Sequence, residues 1–266
     1  MDQTQTRSHF FIGLWTALVL VLVYLPIICG AVASFTKSRY FAFPVSAWST
    51  SWWERTTDSI EIGMIVQNSF LVAGFVTVIA VVLAFFGALA FARYEWSGRR
   101  WFQKLIMLPI FFPQPVLGLA LLLWFSALGI PTSWVTAVFA HLVWIVPVVT
   151  LVIAIQVYGF DPTLEEAAFD LGCSRLQVLR EVTLPLLWPG IWSGALFAFL
   201  LSWGNFPLSL FTAGADSTIP KWLYAKMVAG YSPMVPALGT MSTLGAATAL
   251  ALAGLAALMW RKLRAA

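Results

Sequence analysis

Long apolar runs fill most of this 266-residue chain, and one polar island interrupts them. The runs cover 10–34, 62–92, 105–128, 132–158, 186–212 and 237–260. Each is long enough to cross a hydrocarbon core of about 30 Å as a helix. From Leu105 to Phe160, and again from Val182 to Ala215, there is no Asp, Glu, Lys or Arg. Between these stretches lies the island 161–185, DPTLEEAAFDLGCSRLQVLREVTLP, with five of the eleven carboxylates and two of the fifteen basic residues. The pattern predicts an all-α integral membrane protein with six spans. It forms a single domain over 1–266, with a polar two-helix elbow between the fourth and fifth spans.

The island carries its own helix signals. Asp161-Pro162 places a capping carboxylate ahead of a proline, and proline suits the first helical position. Thr163-Leu-Glu-Glu166 offers a capping box as the other start. From either start, Leu164, Ala167, Ala168 and Leu171 share one face, and Gly172 stops the helix. Ser174-Arg-Leu-Gln177 is a second capping box. Its helix is expected to end near Leu184, because Pro185 disfavours helical geometry in the residue before it. Small Ala167 and Ala168 leave a shallow surface that a partner can approach closely; an ordinary amphipathic loop helix has the same spacing. The elbow also mimics a helix-turn-helix, but DNA binding needs phosphate neutralisation and the elbow is acidic. No nucleic-acid partner is expected.

Glu166-Ala167-Ala168, Gly172 and Val182-Thr183-Leu184-Pro185 stand at the spacing of the EAA signature of ABC-importer permeases, with Val182 in the place of its Ile. The chain resembles that family, and over most of its length the second permease of spermidine/putrescine-type systems. Ala92-Arg93-Tyr94, Gly98-Arg99, Asp161 through Gly172 and Ser232-Pro233 carry the likeness. The resemblance implies a type I importer permease in the bacterial inner membrane. It also implies a homologous second permease, an ATP-binding cassette ATPase dimer and a periplasmic solute-binding protein as partners. The elbow becomes the coupling helix, with Glu165, Glu166, Ala167, Ala168, Asp170, Gly172, Leu184 and Pro185 as coupling residues. ATP and Mg would be bound by the partner ATPase, and no cofactor is expected in this chain.

The remaining segments refine the topology. Ala31-Val32-Ala33 looks like a signal-peptidase site, yet the apolar run before it exceeds the usual 7–15-residue signal core, so the first span is expected to be retained. The 35–61 loop holds Trp48, Trp52 and Trp53, residues that favour the membrane boundary, and a short interfacial helix is expected there. Gln67-Asn68-Ser69 near the start of the second span suit an interface or another helix. Pro109, Pro113 and Pro115 interrupt the third span, and Pro147 the fourth. The sixth, rich in Ala and Gly, suits close helix packing.

Charge sets the sidedness. With the N-terminus inside, Arg7, Arg93, Arg99, Arg100, Lys104, Arg175, Arg180, Arg261, Lys262 and Arg264 fall in the cytoplasm; Lys37, Arg39, Arg55, Lys221 and Lys226 fall outside. The positive-inside rule favours this orientation, which brings both termini and the elbow to the cytoplasm. Composition agrees with a bilayer environment: 61% of residues are hydrophobic and 10% charged, against roughly 25% charged in soluble domains. Cys29 and Cys173 form neither a plausible disulfide nor a metal spacing.

No catalytic residues are expected. There is no HExxH, no glycine-rich phosphate loop and no pair of intramembrane carboxylates. A proton- or sodium-driven carrier, the rival reading, usually needs ionisable or unwound polar groups near mid-membrane. His141, deep in the fourth span, either bonds a neighbouring helix or serves a reaction. Haem ligation would need a second buried histidine, and His9 lies at the other end of the topology. In the fifth span Gly204 and Pro207 weaken the helix around Ser202, Trp203 and Asn205. These three line a substrate pathway, or else the span is simply kinked and Asn205 bonds a neighbour. Polyamine permeases tend to carry two acidic residues at the places of Gly204 and Asn205, so the neutral pair here leaves the solute open.

Overall fold

The computed structural model describes the backbone of residues 3–40 and 44–265, and the side chains of 11–40, 44–255 and 259. Arg7, His9, Arg261, Lys262 and Arg264, used above, lie outside the described side chains, as do residues 41–43 of the 35–61 loop.

Helices account for nearly all of the described chain. In order they are α1 (Gln3–Ser34), α2 (Ser51–Thr57), α3 (Ile60–Ala88), α4 (Arg99–Phe111), α5 (Gln114–Ala127), α6 (Trp134–Tyr158), α7 (Thr163–Asp170), α8 (Arg175–Gln177), α9 (Leu184–Trp203), α10 (Phe206–Thr212), α11 (Ile219–Ala229) and α12 (Met234–Ala265). Two π turns join them, Leu89–Arg93 after α3 and Val178–Thr183 before α9. Five helices are long and apolar enough to cross a membrane; counting the bent pair α4–α5 as one makes six. Contacts divide the chain into two compact units, residues 1–63 with 223–266, and residues 64–222.

In the first unit α12 packs against α1 and α2. The short helix expected in the 35–61 loop is α2. Its Trp53 stacks on Phe35 with ring centres 5.0 Å apart and donates from Nε1 to Ser34 Oγ at 3.2 Å. Lys226 pairs with Glu61 at 3.7 Å.

The second unit is built on seams of small residues. Along α3, Val76, Ala80, Ala84 and Ala88 recur at one-turn spacing and are fully buried. Along α9, Gly190, Gly194, Ala198 and Ser202 do the same and face α6. A Cβ on Gly194 would stand 3.0 Å from Val149 Cγ1, and one on Gly190 2.8 Å from Gln156 Cβ. Lipid is as apolar as a leucine, so helices in a bilayer gain little by hiding carbon from it. They associate where small residues let backbones approach. Small-residue seams of this kind run along the second and fifth spans, while the sixth packs against α1 and α2. Around Gly239, Gly245 and Gly254 of α12 a Cβ would find nothing within 4 Å.

Three expected boundaries need correction, and proline is central to each. The third span, 105–128, is two helices, α4 and α5, bent by 102°. Phe112, ahead of Pro113, is extended at φ −82°, ψ 134°, as the proline ring requires of the residue before it. At Leu184 the same rule fails. That residue stays helical at φ −63°, ψ −45°, and the elbow's second helix runs unbroken from Arg175 to Trp203. The π turn Val178–Thr183 supplies the reason. Its wider ring gives Pro185 room against the carbonyl of the preceding turn and accommodates the bond that proline cannot donate. Finally, the fifth span ends at Trp203 and not at 212. Gly204 caps α9, and Asn205 starts α10, with Pro207 in its first turn.

Gly194→Leu is expected to overpack the α6–α9 seam and cost about 1–3 kcal/mol. Thermal unfolding in detergent should show it as a clear fall in Tm, while Gly239→Leu should leave Tm unchanged.

Candidate functional site

The elbow begins where α6 ends. Asp161 Oδ1 accepts the Thr163 amide at 3.0 Å, so the carboxylate of Asp161 caps α7 and the box from Thr163 to Glu166 does not form. That amide, helped by the Thr163 side chain and by Arg93, holds the Asp161 carboxyl below its ordinary range. At the other end, Gly172 N donates to Phe169 O at 2.9 Å and Cys173 N to Ala168 O at 3.1 Å. This is a Schellman closure, and it needs the positive φ of Gly172, +86°. Ser174 and Gln177 then exchange the two bonds of a capping box, at 2.7 and 3.4 Å.

The coupling residues separate into two sets. Glu166, Ala167, Asp170 and Gly172 are exposed, with Leu164, Phe169 and Leu176; Leu171 is 86% exposed. Glu165 and Ala168 are buried. Of the face assigned to a partner, then, Leu164, Ala167 and Leu171 look outward and Ala168 looks in. Leu184 and Pro185 are half-buried where the elbow enters α9.

Glu165 is held from three directions. Arg93 donates to its Oε2 from Nε at 2.9 Å and Nη2 at 2.6 Å. Thr183 donates its hydroxyl to Oε1. The guanidinium also lies over the Phe160 ring, 5.1 Å from its centre. The two charged side chains are only 16% and 12% exposed, and removing one partner of such a pair leaves a charge stranded, at a cost of about 3–5 kcal/mol. A cavity of about 330 Å³ opens beside the pair, lined by Tyr94, Phe169 and Arg175 among others. In the sequence Arg93 counts toward sidedness and the family likeness, and neither it nor Thr183 has a bonding role there. Their partner stands 72 and 18 residues away, beyond the reach of any local pattern.

The polar interruption of the fifth span is closed from within. His141 Nδ1 lies 2.8 Å from Ser202 Oγ and its Nε2 3.0 Å from Ser209 Oγ. All three residues are buried. An imidazole with one donor and one acceptor nitrogen fits two hydroxyls, each able to do either. Asn205 Oδ1 accepts the Leu208 amide at 3.1 Å and caps α10. Of the three pathway candidates only Trp203 stays half-exposed. It is packed with Phe199 and Phe70 at 5.6 and 4.7 Å between ring centres. The flanking loop is equally committed. Asp216 Oδ2 accepts the Trp134 amide at 3.0 Å, and Ser69 Oγ accepts that of Ile219 at 2.8 Å. Lys221 donates to Gly214 O, and its half-burial lowers its pKa.

His141→Leu strands two buried hydroxyls and is expected to cost about 1–3 kcal/mol for each, read as a Tm loss in detergent. For Asp161 the folded pKa is depressed, so its stabilisation is full above the ordinary value of 3.8 and is lost as pH falls through the lower folded value. Hydrogen exchange should therefore show α7 equally protected from pH 7 to 5, once intrinsic exchange rates are removed, and less protected below about pH 4. Asp161→Asn keeps a cap and should flatten that acid loss.

Comparison with known proteins agrees with this architecture. Residues 80–261 match the family described as binding-protein-dependent transport system inner membrane component. The spermidine/putrescine transport system permease protein PotC of Haemophilus influenzae is 30% identical over 257 residues, 96% of this chain and 98% of that protein. PotC of Escherichia coli K12 is 31% identical over 230 residues, 86% of each. Among solved structures, a bacterial ABC transporter involved in import of the acidic polysaccharide alginate superposes with a TM-score of 0.71 at 19% identity, covering 95% of this chain and 97% of that one. The fold is that of an ABC importer permease, and the chain belongs to the family of inner-membrane components of binding-protein-dependent transport systems.

Proposed function

We propose that the chain forms, with a homologous second permease, the pathway of an ATP-driven importer whose ATPase dimer grips the elbow 161–184. The observation that carries this reading is the exposed apolar tip of α7, Leu164, Ala167 and Leu171, set in an acidic helix between two charge-free runs. Such a tip is too short to enter a bilayer and too apolar to be left to water, and it fits a cleft in another protein. Glu166 and Asp170 rim the tip and meet basic groups of that cleft. The ATPase binds ATP with Mg, and its closure drives the two elbows together and rocks the spans toward an outward-open state. Both termini lie in the cytoplasm, as the charge count favours. A periplasmic binding protein delivers the solute to the outer loops, 35–61 and 213–236.

The solute is small and hydrophilic. The PotC relatives support a polyamine-like cargo, whereas Gly204 and Asn205 offer a dication no counter-charge. A polyamine therefore requires acidic groups from the second permease. Ser202 and Asn205 hold the break between α9 and α10 in shape, and Trp203 presents the ring beside it.

Purification of the tagged chain from its native operon should bring down a stoichiometric ATPase. Leu171→Asp should reduce that recovery at least tenfold, an effect of about 1.4 kcal/mol. Gly172→Asp should leave insertion intact and uncouple ATP hydrolysis from uptake; normal uptake by that variant removes the docking role. Uptake of labelled putrescine and spermidine by cells expressing the whole operon tests the cargo, and no uptake of either excludes polyamines.

A further inference from the structure

We propose that Arg93 and Thr183 are positioning residues for energy coupling. Through the buried carboxylate of Glu165 they tie α7 to the end of α3 and to the base of α9, so that a push on α7 moves both spans together. The inference rests on the docking reading above and says which bonds carry the push.

Three observations point to this joint. Glu165 and Ala168 are the buried residues of α7, and Glu165 is the one that reaches the spans through side-chain hydrogen bonds, with Phe169 half-covered beside it. A methyl contact slides under load. Charge-assisted hydrogen bonds are strong and directional, and resist both pulling and rotation. Second, the carboxylate divides its oxygens: Oε2 takes two donors from Arg93, and Oε1 takes the Thr183 hydroxyl. One side chain thus reaches two spans. Third, Arg93 is the last residue of the π turn Leu89–Arg93, and Thr183 the last of Val178–Thr183. Each span therefore meets the joint through a turn whose hydrogen-bond ladder is already offset, a feature frequent at functional sites. Phe160 under the guanidinium adds the end of α6 to the same cluster.

The test uses the whole transporter copurified with its ATPase, with Cys29 and Cys173 changed to serine. Nitroxide labels go on Thr163→Cys of α7, away from the apolar tip, and Phe86→Cys of α3, both exposed positions. In the otherwise wild-type joint, trapping with ATP and vanadate should leave the label–label distance unchanged, because the two elements travel as one body. In Glu165→Gln, which weakens the link from α7 to α3, the ATPase should still copurify and hydrolyse ATP. The distance should then shift on trapping by about 3 Å, two helical rises, as α7 moves and α3 lags. Arg93→Glu combined with Glu165→Arg should restore the fixed distance. Where Glu165→Gln fails to assemble, Arg93→Lys carries the measurement, since it loses one of the two bonds to Oε2. A fixed distance in every variant, or a shifting one in the wild-type joint, overturns the proposal and leaves docking standing. Loss of the ATPase from a folded Thr183→Val also overturns it, since the joint would then serve docking. A wild-type chain that recovers no ATPase ends the docking reading and this inference with it.

Discussion

A carboxylate placed among apolar helices must be met by donors on every side, or it will not stay charged there. The elbow end of the second unit is arranged around that requirement. Glu165 leaves the polar elbow and points inward, and the chain brings Arg93 and Thr183 to it from two spans. Phe160 covers the guanidinium and thins the water around it. Burial raises the attraction within the pair and the penalty for breaking it. The elbow consequently presents two different surfaces: a tip of leucine and alanine free for a partner, and a polar root fastened to the spans.

Above this root the helices are held by contact alone. The seams of α3 and α9 repeat a small residue each turn, and the gaps they leave match the side chains opposite, as Val149 and Ile153 match Gly194. Shape carries the packing because the bilayer offers no hydrophobic reward for it. Two polar groups buried higher in the bundle are satisfied within the chain. His141 between two serines and Asn205 on the first turn of α10 show the same economy. The break between α9 and α10 is thus a capped helix end, stable in its own right. A Cβ on Gly118 of α5 would stand 2.9 Å from Phe211 of α10, so the short helix after the break is closely seated.

The prolines show how context decides a local rule. Before Pro113 the chain obeys steric preference and turns by 102°. Before Pro185 it does not, because a π turn below has already widened the helix to receive the ring. Pro113 sits in an apolar segment and Pro185 at the end of the polar elbow, and neither outcome follows from neighbouring residue types. The difference lies in the π turn below Pro185, which has no counterpart immediately ahead of Pro113.

What the sequence determined by itself was everything set within a few residues or by bulk composition. Spans follow from apolar length, the short helix α2 from its tryptophan-rich loop, and the Gly172 stop and Ser174 cap from bonds reaching at most five residues. The family likeness of the elbow was legible for the same reason, as a fixed local spacing. The tertiary structure alone decided which of two adjacent glutamates turns inward, because that choice depends on an arginine 72 residues away. It alone decided that the small-residue seams of the second and fifth spans are the ones used, that His141 is bridged, and that the third span is bent. These depend on which helices become neighbours, and hydrophobic periodicity carries no such information when every face of a span is apolar.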